Sequence, residues 1–143
     1  MEFRPGGPED YERLTAIWKA AVEATHDFVT AEEIAGYEAR MPVDFLPAVE
    51  LTVATIDDEP VGFLGMGGDN IEMLFVDPGR HGQGIGRALV DRVGDRPRLT
   101  VDVNEENMGA VAFYWKLGFK PTGRSETDAD GAPHPLIHLE LTN

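Results

Sequence analysis

The apolar positions along the chain change period partway, and each change marks an element. Phe3 and its neighbours predict a short opening strand, closed by Pro5-Gly6-Gly7. Pro8-Glu9-Asp10 then starts a helix, with proline early and acids where the helix dipole favours negative charge. Leu14, Ile17, Trp18, Ala21 and Val22 recur at helical spacing and carry that helix to about Ala24. Thr25-His26-Asp27-Phe28 breaks the pattern, Thr30 caps a second helix, and Met41-Pro42 ends it. From Leu51 the period drops to two. Residues 51–56 and 60–66 predict a hairpin around Asp57-Asp58-Glu59, and residues 71–76, apolar at most positions, predict a central strand. A helix over 84–93 follows, with Ile85, Leu89 and Val93 on one face, then a strand over 99–103 and a helix over 107–117 stopped by Gly118. Residues 119–127 and 135–141 close the chain as a hairpin around Asp128-Ala129-Asp130-Gly131. The order β-α-α-β-β-β-α-β-α-β-β predicts an α/β (mixed α+β) fold, a mixed sheet with helices on both faces.

Composition narrows the chemistry. A length of 143 residues fits one domain over 1–143, and 42% hydrophobic residues exclude wholesale disorder. The absence of cysteine excludes disulfides, zinc–thiolate sites, iron–sulfur clusters and a cysteine nucleophile. No apolar run approaches the roughly 20 residues that span a bilayer. The acidic first residues hold no apolar signal core, so a cytoplasmic protein with no membrane partner is expected. The net charge of -14 argues against a nucleic-acid partner held by a phosphate footprint. That charge is uneven: residues 1–60 hold 14 acids and 4 bases, whereas five of the nine arginines fall between positions 80 and 98. Either the surface is simply solvated, or two ligands of opposite sign are bound.

Residues 74–90, LFVDPGRHGQGIGRALV, carry the strongest chemical signal: a strand, a glycine-rich turn, then a helix. Glycines at 82, 84 and 86 let the backbone approach a ligand, and the amides of the turn and the helix start converge on an anion, most suitably a pyrophosphate. Arg80, His81 and Arg87 stand at the same mouth. A P-loop would need a lysine after the glycines, and a dinucleotide fingerprint would need glycine at 87 or 89, where Arg87 and Leu89 stand.

The segment resembles the acyl-CoA-binding motif of the GCN5-related N-acetyltransferases, R/Q-x-x-G-x-G/A after a strand ending in L-x-V-x-P. Asn107-x-x-Ala110-x-x-Phe113-Tyr114-x-x-Leu117-Gly118-Phe119 is similar to that family's second signature, and the resemblance covers nearly the whole chain. One position departs from the family: His81 stands where an arginine or glutamine is usual.

The resemblance implies a twisted, mostly antiparallel sheet of about seven strands flanked by about four helices. It implies acetyl-CoA as cofactor, its pyrophosphate held by His81, Gly82, Gln83, Gly84, Ile85, Gly86 and Arg87. Leu74, Phe75 and Val76 would lie along the pantetheine, with one of their N–H groups polarising the thioester carbonyl. Asn107 would cap its helix and reach the cofactor. Tyr114 would protonate the leaving thiolate or bind it, a cofactor contact either way, although its helix also offers it a place in the core. Asn104 would order a water or the pantetheine amide. Glu72, two residues before Leu74 and so expected on its face, would take the amine proton. His26 would line the acceptor pocket or merely complete a turn; Glu32, Glu33 and Tyr37 belong to the same region. His134 and His138, about 13 Å apart if both lie on a strand, do not predict a metal site. Trp18 and Trp115 read as core or flank residues.

With no cysteine and no serine–histidine pairing visible in the sequence, direct attack by the acceptor amine is expected. The competing class is a non-catalytic acyl-CoA-binding sensor. The acceptor stays open among antibiotics, polyamines, amino-acid derivatives and peptide amines, with the acidic front half favouring a cationic one. The chain is expected to be a monomer or a homodimer.

Overall fold

A computed structural model describes residues 1–25, 29–128 and 131–142. The strands are β1 (Glu2–Pro5), β2 (Glu50–Ile56), β3 (Glu59–Gly67), β4 (Asn70–Val76), β5 (Arg98–Asn104), β6 (Lys120–Ser125) and β7 (Leu136–Thr142). The helices are α1 (Tyr11–Thr25), α2 (Ala31–Arg40), α3 (Ile85–Val93) and α4 (Met108–Lys116). One seven-stranded sheet runs in the order β1-β2-β3-β4-β5-β7-β6, antiparallel everywhere except between β4 and β5.

Side chains alternate across a strand, so each sheet face gathers its own core. Phe63 and its neighbour Leu64 on β3, both fully buried, go to opposite sides. Phe63 joins Leu14, Ile17, Trp18 and Met41 beneath α1 and α2; Leu64 joins Ile85, Leu89 and Val101 beneath α3 and α4. Each such side chain contributes on the order of 1.5–3 kcal/mol by leaving water, which offsets the conformational entropy of ordering it.

Two local features depart from the expected elements. Pro8–Asp10 is a separate 3-10 turn before α1, and Asp10 closes it by accepting the Gly7 N–H at 3.0 Å. Met41-Pro42 does end α2, yet the chain continues through a π-helical turn at Met41–Phe45 and a 3-10 turn at Leu46–Ala48. Pro42 and Pro47 sit in the first turns of these pieces, where a missing N–H costs least. Met41 and Leu46 bury their side chains in the α1/α2 core and hold the stretch down.

Two irregularities of β4 position the site. Its parallel ladder with β5 consists of Asn70↔Thr100 and Ile71↔Val101 only; beyond these pairs the strands splay. Against β3, Gly65 pairs with Met73 while Met66 pairs with Ile71, so Glu72 is an extra, unpaired residue in a β-bulge.

Candidate active site

Gly82 and Gly84 adopt φ of +83° and +76°, the left-handed region that side chains disfavour, and this turns the chain from β4 into α3. The amides of Gly82, Gln83 and Gly84 donate to no backbone acceptor among the described residues. Those of Ile85, Gly86 and Arg87 open α3, where no preceding turn can accept them. A Cβ on Gly82 or Gly84 would meet open space, whereas one on Gly86 would lie 3.3 Å from Phe113 Cζ, so Gly86 serves the approach of α3 to α4. Among the described residues neither Arg80 nor Arg87 has an ion-pair partner, and His81 is exposed, its N–H donating to Pro78 O at 3.2 Å. The turn is thus a cradle of free amides flanked by two free cations.

From this cradle a cleft of about 220 Å³ runs from Gly86 along Leu74, Phe75 and Val76, past Phe113, to Asn107 and Tyr114. A second cleft of about 270 Å³ fills the splay between β4 and β5; it shares Leu74, Phe75, Asn107 and Tyr114 with the first and adds Glu72, Asp102 and Asn104. Beyond it, a third cavity of about 460 Å³ has Trp18, Tyr37, Met41 and Phe45 as apolar walls, with Asp44 and Glu72 as its acids.

Tyr114 stands at the junction. Phe113 and Phe119 pack edge-on against its ring at 5.0 and 5.2 Å, and only 6% of the residue is exposed. Its hydroxyl makes no protein hydrogen bond among the described residues, yet is not sealed from solvent. Burial pushes the phenol well above its ordinary pKa, so it stays protonated through neutral pH. Tyr114 is thus a core residue that also lines both clefts. Asn107 caps α4, its Oδ1 accepting Ala110 N–H at 3.1 Å. Asn104 Oδ1 accepts Glu106 N–H at 2.9 Å, which shapes the turn between β5 and α4.

Glu72 does not share Leu74's face. The bulge resets the alternation: Ile71, Leu74 and Val76 pack on the α3/α4 side, while Met73 and Phe75 pack on the α1/α2 side, where Glu72 lines the cavity walled by Trp18 and Tyr37. Glu72 is exposed and its carboxylate has no partner among the described residues. His26 lies outside the described residues. Glu33 and His134 bond to each other at 3.0 Å. His134 precedes β7, and each histidine is held by carboxylates of its own, His138 by Asp102 and His134 by Glu33 and Glu106. Trp115 is exposed and Trp18 is a cavity wall as well as a core residue.

A pairing that local spacing could not reveal also emerges. Ser125 Oγ lies 2.7 Å from His138 Nε2, and His138 Nδ1 bonds to Asp102 Oδ1. The cross-strand pairing Asp102↔His138 sets this contact, so its signal is the β5–β7 register rather than any motif.

Residues 13–141 match the acetyltransferase (GNAT) domain family. The chain belongs to the GNAT family of acetyltransferases. It is 50% identical over 141 residues to the peptidyl-lysine N-acetyltransferase YjaB of Salmonella typhimurium, covering 97% of each chain. The solution structure of apo-form YjaB from Escherichia coli superposes with a TM-score of 0.89 at 45% identity, covering 97% of this chain and 95% of that one. At 21% identity the fold of yncA from Salmonella typhimurium, solved with its cofactor acetyl-CoA, also matches, with a TM-score of 0.68 over 99% and 93% of the two chains. The activity is that of an N-acetyltransferase, and acetyl-CoA is the acetyl donor in this family. The residues present fit that donor: free amides and cations for phosphates, and a narrow, partly apolar cleft leading from them to Tyr114. No helix among the described residues is long and apolar enough to cross a membrane.

Proposed function

We propose that the chain moves an acetyl group from acetyl-CoA directly to the side-chain amine of a peptidyl-lysine. The observation that carries this reading is the place of Tyr114, whose hydroxyl stands where the cleft from the glycine cradle meets the cleft that leads to an acid-bearing, aromatic-walled cavity. The 50% identical relative named a peptidyl-lysine N-acetyltransferase supports the same acceptor. The walls formed by Trp18, Tyr37 and Phe45 suit a lysine's methylene stem, and the carboxylates of Glu72 and Asp44 suit its charged end.

Acetyl-CoA, when bound, supplies an acetyl thioester. The chain's residues do the rest. The free cradle amides with Arg80 and Arg87 hold phosphate. Beyond Ile71 the β5-facing edge of β4 has no strand partner among the described residues, so an N–H along Leu74–Val76 polarises a carbonyl oxygen in the cleft. Glu72 takes the proton from the ammonium, leaving a neutral amine to attack. Tyr114, kept protonated by its burial, donates to the departing sulfur.

Lysine-bearing peptides and a panel of other amines, incubated with protein and acetyl-CoA, test this by mass spectrometry and by release of free thiol. Acetyl-lysine with stoichiometric thiol is the expected result. Tight acetyl-CoA binding with no acceptor consumed would overturn it in favour of an acyl-CoA sensor.

A further inference from the structure

Three neighbouring strands place Asp102, His138 and Ser125 in a single hydrogen-bonded row. The row's direction follows from chemistry. An ionised carboxylate only accepts, so His138 carries its proton on Nδ1 and donates to Asp102 Oδ1. In the Nδ1–H tautomer Nε2 is the acceptor, and the Ser125 hydroxyl donates to it. This is the connectivity of a serine–histidine–aspartate triad. Its orientation toward the cleft is reversed, however. Asp102 lines the cleft between β4 and β5, whereas neither His138 nor Ser125 does, and Ser125 sits on the edge strand β6. The end presented to a substrate is the carboxylate, not the serine.

Asp102 and Glu72 line the same cleft. Ile71 and Val101 form the last pair of the parallel ladder, and both turn to the α3/α4 core. The next residue on each strand is an acid, and both acids line the same cleft on the opposite side of the sheet. Two carboxylates thus line one cleft where the strands begin to part. Two like charges so placed repel each other, and a cation between them removes the repulsion.

We propose that Asp102, oriented by His138 and Ser125, is the carboxylate that fixes the acceptor's ammonium group opposite Glu72. The proposal rests on the lysine-acetylating function above and divides the labour within it. Asp102 has one oxygen occupied by His138 and uses the other to hold the amine. Glu72, with both oxygens free, receives the proton the amine must lose. His138 and Ser125 are positioning residues: they fix the rotamer of a half-exposed carboxylate that would otherwise turn freely, so less ordering remains to be done when the acceptor binds.

Steady-state kinetics with Nα-acetyl-lysine amide as acceptor test the assignment. Asp102→Asn keeps the size of the side chain and removes its charge. It should raise the acceptor KM about tenfold or more while leaving the acetyl-CoA KM and the melting temperature in place. His138→Leu should raise the same KM, and the double variant should be no worse than Asp102→Asn alone. His138→Asn, which returns an amide N–H near the Nδ1 position, should recover most of the loss; a merely structural histidine would not separate the two substitutions in this way. An unchanged acceptor KM in Asp102→Asn overturns the proposal. So does loss of turnover in Ser125→Ala together with an acetylated Ser125 in the wild type, the outcome expected of a nucleophilic triad. Should the wild type acetylate no lysine compound, the proposed function falls separately. The anchor is then judged by calorimetry of the same amide with CoA-loaded protein, where equal or absent binding in wild type and Asp102→Asn overturns it.

Discussion

His134 Nε2 lies 3.0 Å from Glu33 Oε2, although the two residues are 101 positions apart in the chain. His134 Nδ1 also reaches Glu106 Oε1 at 3.3 Å, so one imidazole ties the N-terminus of α2 to the turn between β5 and α4. Glu33 in addition closes a capping box with Thr30, each donating a backbone N–H to the other's side chain at 3.1 Å. The hydrogen bond to Glu33 raises the pKa of His134, and the bond from His134, followed by that from Thr30, lowers the pKa of Glu33. The histidine's contribution to stability is therefore complete below its unfolded value of 6.5 and fades as pH rises through the folded one. That of Glu33 is present above 4.5 and fades as pH falls through its lowered value. Thermal melts from pH 5 to pH 9 should show a stability loss on the alkaline side that His134→Ala abolishes. An unaltered profile in the variant would remove the clamp.

Tyr114→Phe should cost about 10²-fold in kcat, the scale of a general acid, with acetyl-CoA affinity retained. The hydroxyl has no protein partner among the described residues, so the melting temperature at neutral pH should hold. In strong base the two proteins part company. Burial raises the folded phenol above its ordinary value of 10.0, so the wild type loses stability as pH climbs beyond that value, and the variant lacks this increment. Steady-state rates and alkaline melts read both effects.

The glycine cradle is best probed by charge alone. A carboxylate at Gly84 would meet a φ of +76°, and one at Gly86 would press on Phe113, so either would mix strain with electrostatics. Gln83 and Arg87 are exposed. Gln83→Glu and Arg87→Glu should each weaken acetyl-CoA binding about tenfold at low salt and less at high salt, with unchanged melting temperatures. Calorimetry at two ionic strengths checks this.

Arg4 grips Asp10 through two bonds of 2.9 and 2.7 Å and thereby pins β1 to the start of α1. The Arg4 guanidinium, helped by the Gly7 N–H, holds the buried Asp10 carboxyl below its usual range. Asp10→Ala should destabilise by about 1–2 kcal/mol, as expected for charge-assisted bonds of which one partner is half-exposed. The loss should shrink as pH falls below 3.8 and through the lowered folded value, because the native carboxylate is then protonated in the wild type as well. Urea melts at pH 7 and pH 3 compare the two.

Much of the architecture was legible in the sequence because its signals are local. The alternation of residues 51–56 and 60–66, the Thr30 and Asn107 caps and the Gly118 stop each act within a few residues, and all seven strands and four helices fall close to where they were expected. The glycine turn was legible for the same reason. What escaped depends on register between distant strands. The bulge at Glu72 is a property of the β3–β4 pairing, invisible in the NIEMLFV pattern of β4 alone, and it moved Glu72 to the other face. The row from Asp102 through His138 to Ser125 depends on the pairing of β5, β7 and β6, so neither the serine–histidine contact nor the acid at the cleft showed in spacing. The helical turns over residues 41–48 escaped because two prolines there break the usual period while leaving short first turns intact.

The single surplus residue at Glu72 also has a bearing on how such a protein can diversify. After it, Met73 lines the acid-bearing cavity but not the cleft beside the glycine cradle, Val76 lines that cleft but not the cavity, and Leu74 and Phe75 between them line the cleft that joins the two. On the proposed function, substitution at Met73 reshapes the acceptor side alone and substitution at Val76 the donor side alone. Selectivity for a new acceptor is thus free to drift at one end of the strand while the other end preserves the handling of a common donor, two histories written on the same short stretch.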